Sequence, residues 1–309
     1  MIYLIMCGRL GNQLFQYAFA RKIQIITGQE LAIDFTAIEN VNNPEWRNYL
    51  VDYNTHPYKI VTNRDYYPIQ RYVYALLKRI RPKSNEMKQY RFDEFVSVLA
   101  NSGIYYYESD FKCHDFKIKK SKNIIIRGWF ESHKYFEDQW EIIKDEFTLK
   151  NGIENEYKDI ERKLKNGNGI CLSIRRGNFL DDAHRDKFFV CSPEYYYSSV
   201  KQAKKIHSDS FIYVCSDDIE WCKRELNLPG EVVYEPSANP TEKLYLMSLC
   251  KCFILSNSTF SWWAQYLSTF KNKTVIAPSR WRNKGLSPLD IYNDSWILID
   301  SNGTIVIQN

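Results

Sequence analysis

The sequence has no long tract of glycine, serine or proline, and its apolar opening is short. With 44% hydrophobic and 26% charged residues, this composition excludes an intrinsically disordered chain and predicts that the protein folds throughout. The opening MIYLIMCGRLGNQ is apolar over too short a stretch for a signal peptide or a membrane span before it reaches Gly8 and Arg9. We therefore expect a cytoplasmic protein.

Metal-ligand spacing is also missing. The eight cysteines form no C-x-x-C pair and none of the spacings of zinc sites. Cys171, Cys215 and Cys252 lie in or beside apolar runs typical of buried strands, where free thiols pack as small hydrophobic groups, which favours a reducing compartment. The adjacent Asp217 and Asp218 have no histidine or third carboxylate spaced to complete a metal site. The sequence therefore predicts neither a metal nor a resident cofactor.

The length of the chain bears on its domain organisation. A chain of 309 residues is longer than chains that usually fold around a single hydrophobic core. This length predicts two domains, each with a substantial apolar interior. The polar stretch LKNGIENEYKD, around Gly152, is typical of a domain linker. We accordingly divide the chain into an N-terminal domain of residues 1–150 and a C-terminal domain of residues 151–309.

The basic residues are mostly spread along the chain and give a net charge of +5, a pattern that favours an anionic ligand over a nucleic-acid backbone. One basic segment, RYVYALLKRIRPK, places Val73, Leu76, Leu77 and Ile80 at helical spacing. Two interpretations stay open for this helix. It packs on its own domain with a solvated outer face, the commoner arrangement, or it rests peripherally on an anionic membrane such as the cytoplasmic face of the inner membrane.

The first half of the chain is harder to interpret. It opens with a strand at residues 2–6, a helix at 12–27 closed by Gly28, and a strand at 31–33. Residues 40–107 show weak periodicity, and only the basic helix is predicted there. A buried-strand pattern returns at residues 124–130, followed by a helix pattern through residues 135–147.

Strand and helix patterns alternate regularly in the second half. Strand patterns occupy residues 170–174, 211–215, 232–234, 253–256 and 274–277, and helix patterns occupy residues 193–206, 218–225, 241–251 and 259–269. Such alternation predicts an α/β domain with a parallel sheet covered on both faces. Ligands of these sheets bind in the loops that follow the carboxyl ends of the strands.

Two of these loops carry charge. Arg175 and Arg176 follow the first of those strands, and a guanidinium binds phosphate oxygens in a bidentate way, so this pair suits a diphosphate leaving group. Ser216, Asp217 and Asp218 follow the second strand, where their oxygens suit hydrogen bonds from a nucleoside. Plainer interpretations stay open for both loops: a surface salt bridge for the arginines, and capping of the next helix by Ser216 or Asp217.

The third loop, NSTFSWW at residues 257–263, opens a helix. Asn257 or Ser258 is expected to cap it, and its first-turn amides predict an anion site together with the hydroxyls of Ser258, Thr259 and Ser261. Capping alone also explains serine and threonine at these positions. A nucleoside diphosphate requires cations, hydrogen-bond acceptors and amide donors, and the three strand ends supply one of these each.

The loop CGRLGNQ near the N-terminus also follows a strand and opens a helix. Its glycines permit close approach of the backbone, and Asn12 is positioned to cap the helix. Gly8 and Gly11 do not complete the G-x-G-x-x-G fingerprint, which argues against a dinucleotide-binding site of the Rossmann type. We expect this loop to face the ligand cleft from the first domain, with Arg9 reaching the same phosphates.

Six blocks resemble, in order, those of the bacterial α-1,2-fucosyltransferases of glycosyltransferase family 11 and, more distantly, those of α-1,6- and protein O-fucosyltransferases. They are GRLGNQLFQYAFA (8–20), RGWFESHKYF (127–136), SIRRGNF (173–179), VCSPEYY (190–196), VCSDDIEW (214–221) and LMSLCKCFILSNSTFSWWAQYL (246–267). The resemblance covers most of the chain. It implies a GT-B fold, in which two Rossmann-like α/β domains with parallel sheets face a cleft.

The resemblance also implies an activity. It points to transfer of L-fucose from GDP-β-L-fucose to the 2-hydroxyl of a terminal galactose, with inversion and without a metal. The acceptor would be a β-galactoside glycan, such as an oligosaccharide or a surface polysaccharide of the lipopolysaccharide O-antigen kind. Residues 1–150 would be the acceptor side, and residues 151–309 would bind GDP-fucose.

The loops and the resemblance together predict the site. The expected donor-binding residues are Arg9, Gly11, Arg175, Arg176, Ser216, Asp217, Asp218, Glu242, Asn257, Ser258, Thr259, Phe260 and Ser261. The expected catalytic residues are Arg175, which stabilises charge on the β-phosphate, Asn12, which orients donor or acceptor, and Asp182. Asp182 is one candidate base beside Asp181, His184 and Asp186, because all follow the arginine loop.

Three positions depart from the family's pattern. Ser173 and Asn178 stand where its HxRRGD block has histidine and aspartate, and Lys243 follows Glu242 where an acidic pair is common. Asparagine cannot accept a proton at neutral pH, so a base at that position would have to be replaced by another group. Two alternatives stay open: a fucosyltransferase of another linkage, α-1,6 or protein O-fucosyl, and a sugar-nucleotide-binding protein with weakened catalysis.

Overall fold

The computed structural model describes residues 1–83, 86–108, 113–114, 118–181, 188–236, 239–283 and 290–306. The chain forms two compact units, Met1–Lys150 with Gly285–Tyr292, and Asn151–Lys284 with Asn293–Asn309. The chain first passes from one unit to the other between residues 150 and 151, and it returns to the first unit near its C-terminal end. Among the described helices, none has the length and hydropathy of a bilayer-spanning segment.

The first unit contains a five-stranded sheet, parallel throughout, in the order β3-β2-β1-β5-β4. Its strands are β1 (Ile2–Ile5), β2 (Leu31–Asp34), β3 (Lys59–Ile60), β4 (Ile104–Tyr107) and β5 (Ile124–Gly128). Its helices are α1 (Leu10–Thr27), α2 (Thr36–Glu39), α3 (Pro68–Ile80), α4 (Glu86–Val96) and α5 (Trp140–Ile143). The central strand β1 is apolar and buried at all four positions, which fits a strand covered on both faces.

Helix α1 differs from the prediction at its start. It begins at Leu10 with Arg9 as the N-cap, so Asn12 lies inside the first turn and does not cap the helix. Its end is as predicted: Gly28 has a φ of 66°, and its amide donates to the carbonyl of Gln24 at 2.8 Å. Glycine suits this left-handed position because it has no Cβ atom to clash.

Several further elements of the first unit differ from the prediction, including β3, α2 and α4, which were not predicted. The helix expected through residues 135–147 is broken into α5 and the 3₁₀ turns His133–Tyr135, Glu137–Gln139 and Lys144–Phe147. Strand β4, with the sequence IYYY, was not predicted. Its four residues are all buried, so it has neither the alternation of a half-exposed strand nor a long apolar run that would mark it in the sequence.

The second unit contains a seven-stranded sheet in the order β12-β11-β10-β9-β6-β7-β8, parallel except for the pair β11 and β12. Its strands are β6 (Gly169–Ile174), β7 (Phe211–Ser216), β8 (Val232–Tyr234), β9 (Cys252–Ile254), β10 (Thr274–Pro278), β11 (Ile297–Ile299) and β12 (Ile305–Val306). Its helices are α6 (Lys158–Lys165), α7 (Pro193–Ile206), α8 (Ile219–Glu225), α9 (Pro240–Ser248) and α10 (Thr259–Tyr266). The predicted strands and helices of this half all form, whereas α6, β11 and β12 were not predicted.

The second sheet reverses its strand order once. The chain runs from β6 through β7 to β8 on one side, and then continues from β9 through β10 to β11 on the other side of β6. The loops that leave the carboxyl ends of β6 and β9 therefore diverge and open a crevice, where parallel sheets bind their ligands. In the first sheet β4 lies at the edge and β5 lies between β4 and β1, so the order of the described strands shows no such reversal.

Candidate functional site

The arginine loop directly follows β6, at the reversal point of the second sheet. Nη1 of Arg175 lies 2.7 Å from Oδ2 of Asp217, and the backbone amide of Arg176 donates to Oδ1 of the same carboxylate at 2.9 Å. A Cβ atom at Gly177 would lie 2.4 Å from Oδ2 of Asp217, so glycine is what lets the carboxylate approach this loop. The salt-bridge interpretation is confirmed, and the bridge joins the arginine loop to the loop after β7.

Both guanidinium groups also lie near aromatic rings. Cζ of Arg176 is 3.7 Å from the ring centre of Trp221 on α8, and Cζ of Arg175 is 5.3 Å from that of Phe179. Phe179 stacks in turn on Phe188, with ring centres 4.4 Å apart. Such contacts restrict the planes of the two cations without neutralising them, which suits binding of an anion.

The polar side chains of the loop after β7 mostly form hydrogen bonds within this loop and with the start of α8. Asp218, rather than Ser216 or Asp217, caps α8, because its carboxylate accepts from the amide of Trp221 at 3.1 Å. The hydroxyl of Ser216 accepts from the amide of Asp218 at 2.9 Å. The loop does cap the helix, but the assignment of the cap to Ser216 or Asp217 is wrong, because the capping residue is Asp218. Nucleoside binding by Ser216, Asp217 and Asp218 remains a prediction.

The N-terminus of α10 lies at the carboxyl end of β9, the neighbour of β6. Ser258 is the N-cap by backbone conformation, and its carbonyl accepts from the amide of Trp262 at 3.0 Å. Ser258, Thr259 and Phe260 are partly exposed. A helix start of this kind presents amide donors and the positive end of the helix dipole. Cations therefore follow β6 and amide donors follow β9, the two neighbouring strands at which the strand order reverses.

Two predicted donor ligands are internal instead. Ser261 is only 1% exposed, and its hydroxyl bonds those of Ser173 at 2.6 Å and Ser256 at 3.0 Å. Asn257 is also buried, and its amide donates to the carbonyl of Trp281 at 3.0 Å. Both side chains thus have hydrogen-bond partners inside the domain, and their contacts with a donor remain predictions. Ser173 belongs to this buried serine cluster (Ser173, Ser256 and Ser261).

Glu242 is a third predicted donor ligand that has an internal partner. It is buried in the first turn of α9, where Oε1 accepts from the backbone amide of Glu154 at 2.8 Å. This bond ties α9 to the start of the second unit, which is a structural use of the carboxylate. The adjacent Lys243 lies 2.9 Å from the buried carboxylate of Glu235, so its charge is paired.

Two buried glutamines shape the loop after β1 in the first unit. Gln16 accepts from the amide of Cys7 at 3.0 Å and donates to the carbonyl of Cys7 at 2.8 Å. Gln13 donates to the carbonyls of Gly8 and Arg47 and accepts from the amide of Tyr49. The two glutamines of the GNQLFQ pattern therefore fix the backbone of the loop after β1 by hydrogen bonds, a role that the sequence interpretation missed.

Asn12, in the first turn of the helix that follows β1, contacts the loop that follows the neighbouring strand β5. Its amide donates to Oε1 of Glu131, which follows β5, at 2.7 Å. The preceding Phe130 is the one non-glycine residue with positive φ, 52°, in the described part of the chain. Its ring is buried against Phe19, with centres 4.3 Å apart. A strained backbone held by core packing is typical of functional sites, so Glu131 is a candidate that sequence reasoning missed.

The other predicted residues of the first unit occupy the same loop. Nη1 of Arg9 lies 2.5 Å from Oε2 of Glu45, a partly exposed pair, and Gly11 is buried in the first turn of α1. Their contacts with a donor remain predictions.

The predicted base lies outside the described residues. Asp182, His184 and Asp186 all fall there, and Asp181 is described and exposed. The side chain of Asn178 is not described either. Among the residues that the structure describes, no three His, Cys, Asp or Glu side chains group to hold a metal. The identity of the base therefore stays open.

Sequence comparison gives consistent relatives. The profile described as "Glycosyl transferase family 11" matches residues 1–300. The O-antigen biosynthesis glycosyltransferase WbnK of Escherichia coli is 26% identical, with 96% of this chain and 99% of that protein covered. An alpha-1,2-colitosyltransferase of Escherichia coli is 24% identical over 96% of this chain and 97% of its own length. A galactoside alpha-(1,2)-fucosyltransferase 1 of Leontocebus fuscicollis is 27% identical over 46% of this chain and 42% of its own.

Solved structures agree on the fold. The NodZ alpha-1,6-fucosyltransferase co-crystallised with GDP superposes with a TM-score of 0.55 and 15% identity, covering 86% of this chain and 92% of the other. The expected GT-B class, with two α/β units built on parallel sheets, is confirmed. The match of the family profile to nearly the whole sequence, on this fold, shows that the chain belongs to glycosyl transferase family 11.

Proposed function

We propose that this glycosyltransferase moves L-fucose from GDP-β-L-fucose to the 2-hydroxyl of a terminal β-galactoside, with inversion and without a metal. The observation that carries the proposal is the pairing of two features at the reversal point of the second sheet. Arg175 and Arg176 follow β6, and the N-terminus of α10 follows its neighbour β9. A diphosphate with two or three negative charges finds cations and amide donors on adjacent strands there.

The reaction requires charge stabilisation and one proton transfer. The bond between the fucosyl anomeric carbon and the β-phosphate oxygen breaks, and GDP leaves with the electron pair. A new bond forms between that carbon and the galactose 2-oxygen, whose proton passes to a base. Arg175 and the amides of α10 stabilise the charge that develops on the departing phosphate, and their preset positions avoid a reorganisation cost during the step.

The first unit would bind the acceptor beside the carboxyl ends of β1 and β5. Glu131, in hydrogen-bond contact with Asn12, places a carboxylate between the ends of β1 and β5. Carboxylates and amides are common partners of sugar hydroxyls because they accept and donate hydrogen bonds in fixed directions. We assign Asn12 a positioning role through Glu131, in place of the helix cap that was expected.

One assay tests the proposal directly. GDP-fucose is incubated with a panel of β-galactosides in the presence of EDTA, with GDP release and the linkage of the product as readouts. We expect an α-1,2-linked fucoside and full activity with the chelator. Activity that EDTA abolishes and added metal restores would contradict the metal-independent mechanism, and an α-1,6 or peptide-linked product would contradict the acceptor assignment.

A matched pair of arginine variants tests the site. Arg175→Ala is expected to lower kcat/KM at least about a hundredfold, the loss typical of removing one charge-stabilising donor. Arg162→Ala serves as the control, because Arg162 lies on α6 and pairs only at the surface with Asp159. Near-normal turnover by folded Arg175→Ala would contradict the assignment of this residue.

A second candidate concerns the donor. The relative that is an alpha-1,2-colitosyltransferase covers as much of this chain as WbnK does and is nearly as similar. A GDP-sugar that carries colitose in place of fucose is therefore the main competing donor. Comparison of kcat/KM for the two donors with one acceptor decides between them, and an enzyme that strongly prefers the colitose donor would replace our proposal. GDP binding without turnover on either donor would instead support the weakened, binding-only alternative.

A further inference from the structure

Helix α3 of the first unit has two apolar faces. On one face Leu77 is buried, and Val73 and Tyr74 pack against the same core cluster over the sheet. On the other face, apolar side chains recur every three or four residues and are all more than half exposed, namely Ile69, Tyr72, Leu76 and Ile80. Tyr72, at 78%, is the most exposed of them. A helix that only covers its own domain needs the first face alone.

The adjoining segments extend the exposed face. Phe95 on α4 is 73% exposed, and Met87 on α4 and Val98 in the following 3₁₀ turn are also exposed. Helix α4 contributes Val96 to the same core cluster as Leu77, so both helices cover one face of the sheet and turn their outer sides away from it. The α3 surface, defined as the four exposed apolar residues of α3 with Phe95 and Val98, is more apolar than the scattered exposed residues of an ordinary monomer surface.

The charge on helix α3 itself has one sign. Helix α3 contains Arg71, Lys78 and Arg79 and no aspartate or glutamate. Among the described residues, none of these three cations pairs with a carboxylate at salt-bridge distance. At the start of the helix, Nζ of Lys122 lies 5.4 Å from the ring centre of Tyr67, and Lys119 and Lys120 are exposed nearby in sequence. Cations therefore flank the exposed apolar residues at both ends of the helix.

We propose that the α3 surface docks on an anionic lipid bilayer. The boundary between headgroups and acyl chains takes up apolar side chains to a depth that suits one exposed helix face, and anionic headgroups attract unpaired lysine and arginine. A protein partner explains this composition less well, because charged residues as a class are depleted at the buried centres of protein interfaces, whereas α3 places three cations among its exposed apolar residues. The inference rests on the first unit alone and does not depend on the donor or the acceptor of the enzyme.

Vesicle flotation with the full chain tests the proposal. The vesicles are made of phosphatidylcholine alone, or of an equimolar mixture of phosphatidylcholine and phosphatidylglycerol. We expect binding to the mixed vesicles, weakening as salt is added, and little binding to phosphatidylcholine alone. The variant Leu76→Gln with Arg79→Gln is expected to reduce the partition coefficient at least about tenfold, since it removes one buried aliphatic contact and one headgroup contact.

A matched control variant tests whether the loss of vesicle binding is specific to the α3 surface. Ile206→Gln with Lys205→Gln makes the same chemical changes at the exposed end of α7 in the second unit and should bind vesicles as the wild type does. Turnover of a water-soluble acceptor should be unchanged in both variants, because neither alters the candidate site. Equal binding to both kinds of vesicle, or equal binding by both variants, would overturn the proposal. Self-association that Leu76→Gln abolishes, without vesicle binding, would identify a second copy of the chain as the partner and would also overturn it.

Discussion

The guanidinium of Arg175 and the carboxylate of Asp217 lie 2.7 Å apart and join the loops that follow the neighbouring strands β6 and β7. The second oxygen of Asp217 accepts from the amide of Arg176, so one carboxylate fixes both the side chain and the backbone of the arginine loop. Its place beside the proposed catalytic cation leads us to expect that Asp217 is a positioning residue. Its removal should therefore disturb turnover more than it disturbs folding.

Asp217→Asn tests this relationship. The amide oxygen can still accept from the amide of Arg176, but the charge that orients Arg175 is gone. We expect kcat to fall at least about tenfold, because misplacement of a charge-stabilising group by a fraction of an ångström is costly. GDP affinity, measured by calorimetry, should change less than about threefold, since the cations remain. Tighter GDP binding with unchanged kcat would show instead that Asp217 competes with phosphate for Arg175.

Gly177→Ala should act through the same carboxylate. The added methyl group would meet Oδ2 of Asp217 and force that side chain to turn away from Arg175. We expect a loss of kcat similar to that of Asp217→Asn. In the background of Asp217→Ala the glycine change should have almost no further effect, because the clash has been removed. Additive losses in this double-mutant cycle would contradict the coupling.

Substitutions of two serines near the start of α10 should have different effects, one on the stability of the fold and the other on binding of the donor. Ser261→Ala removes a hydroxyl that bonds two buried serines, and we expect the free energy of unfolding to fall by about 1–3 kcal/mol. Ser258→Ala, at the partly exposed N-cap, should leave that free energy within about 1 kcal/mol but raise the KM for GDP-fucose. Urea unfolding and donor kinetics on both variants check this. The reverse pattern would support the prediction that Ser261 contacts the donor.

Asn12 and Glu131 are expected to act together. Glu131→Gln keeps the side-chain shape but removes the charge, and it should raise the KM for the acceptor more than that for GDP-fucose. Asn12→Ala should have a similar but smaller effect, since it loosens Glu131 without removing it. Both effects are expected to be about tenfold or less, the value of one or two hydrogen bonds. Equal effects on the two substrates would argue against an acceptor role.

Stability at acid pH should depend on Glu161. Burial by itself raises the pKa of this carboxyl, but hydrogen bonds from Tyr245, Lys165 and Lys158 outweigh it and lower the pKa to about 2. A carboxylate whose pKa is lowered by folding stabilises the protein above its unfolded pKa and loses that contribution as the pH falls towards the folded value. The stabilisation is therefore complete above about pH 4.5 and disappears towards about pH 2.

Urea unfolding of Glu161→Gln measures this contribution. We expect the variant to be less stable than the wild type by about 1–3 kcal/mol near neutral pH, with the difference shrinking below about pH 4. Asp159→Asn on the same helix is the control, because the side chain of Asp159 is 91% exposed and should contribute almost nothing. A difference for Glu161→Gln that is independent of pH would show that shape, and not charge, matters at this position.

Periodicity predicted the second unit well for a physical reason. Strands buried on both faces must be continuously apolar, and the runs that became β6 and β7 are of this kind, so their positions and the loops after them could be predicted. Periodicity could not distinguish a hydroxyl that faces the ligand from one that faces the core, so the burial of the Ser261 side chain could not be predicted. The approach of Asp217 to Arg175 depends on strand pairing, which the spacing of residues along the chain does not encode.

Two features of the first unit could not be predicted from local sequence. Strand β4 is short and rich in tyrosine, and nothing local marks it as buried. The position of Glu131 depends on the left-handed backbone of Phe130, which the packing of an aromatic cluster enforces and which no residue preference would suggest.

The eight cysteines of the chain are all free, seven of them are buried, and the pKa of every thiol is raised, chiefly by burial. Because the thiolate is the reactive species, an alkylating reagent near neutral pH modifies these positions mainly when the chain transiently opens. Cys7 and Cys113 belong to the first unit and the other six to the second. Mass spectrometry of timed iodoacetamide labelling thus compares the transient opening of the two units separately, in the unmodified protein and without any engineered probe.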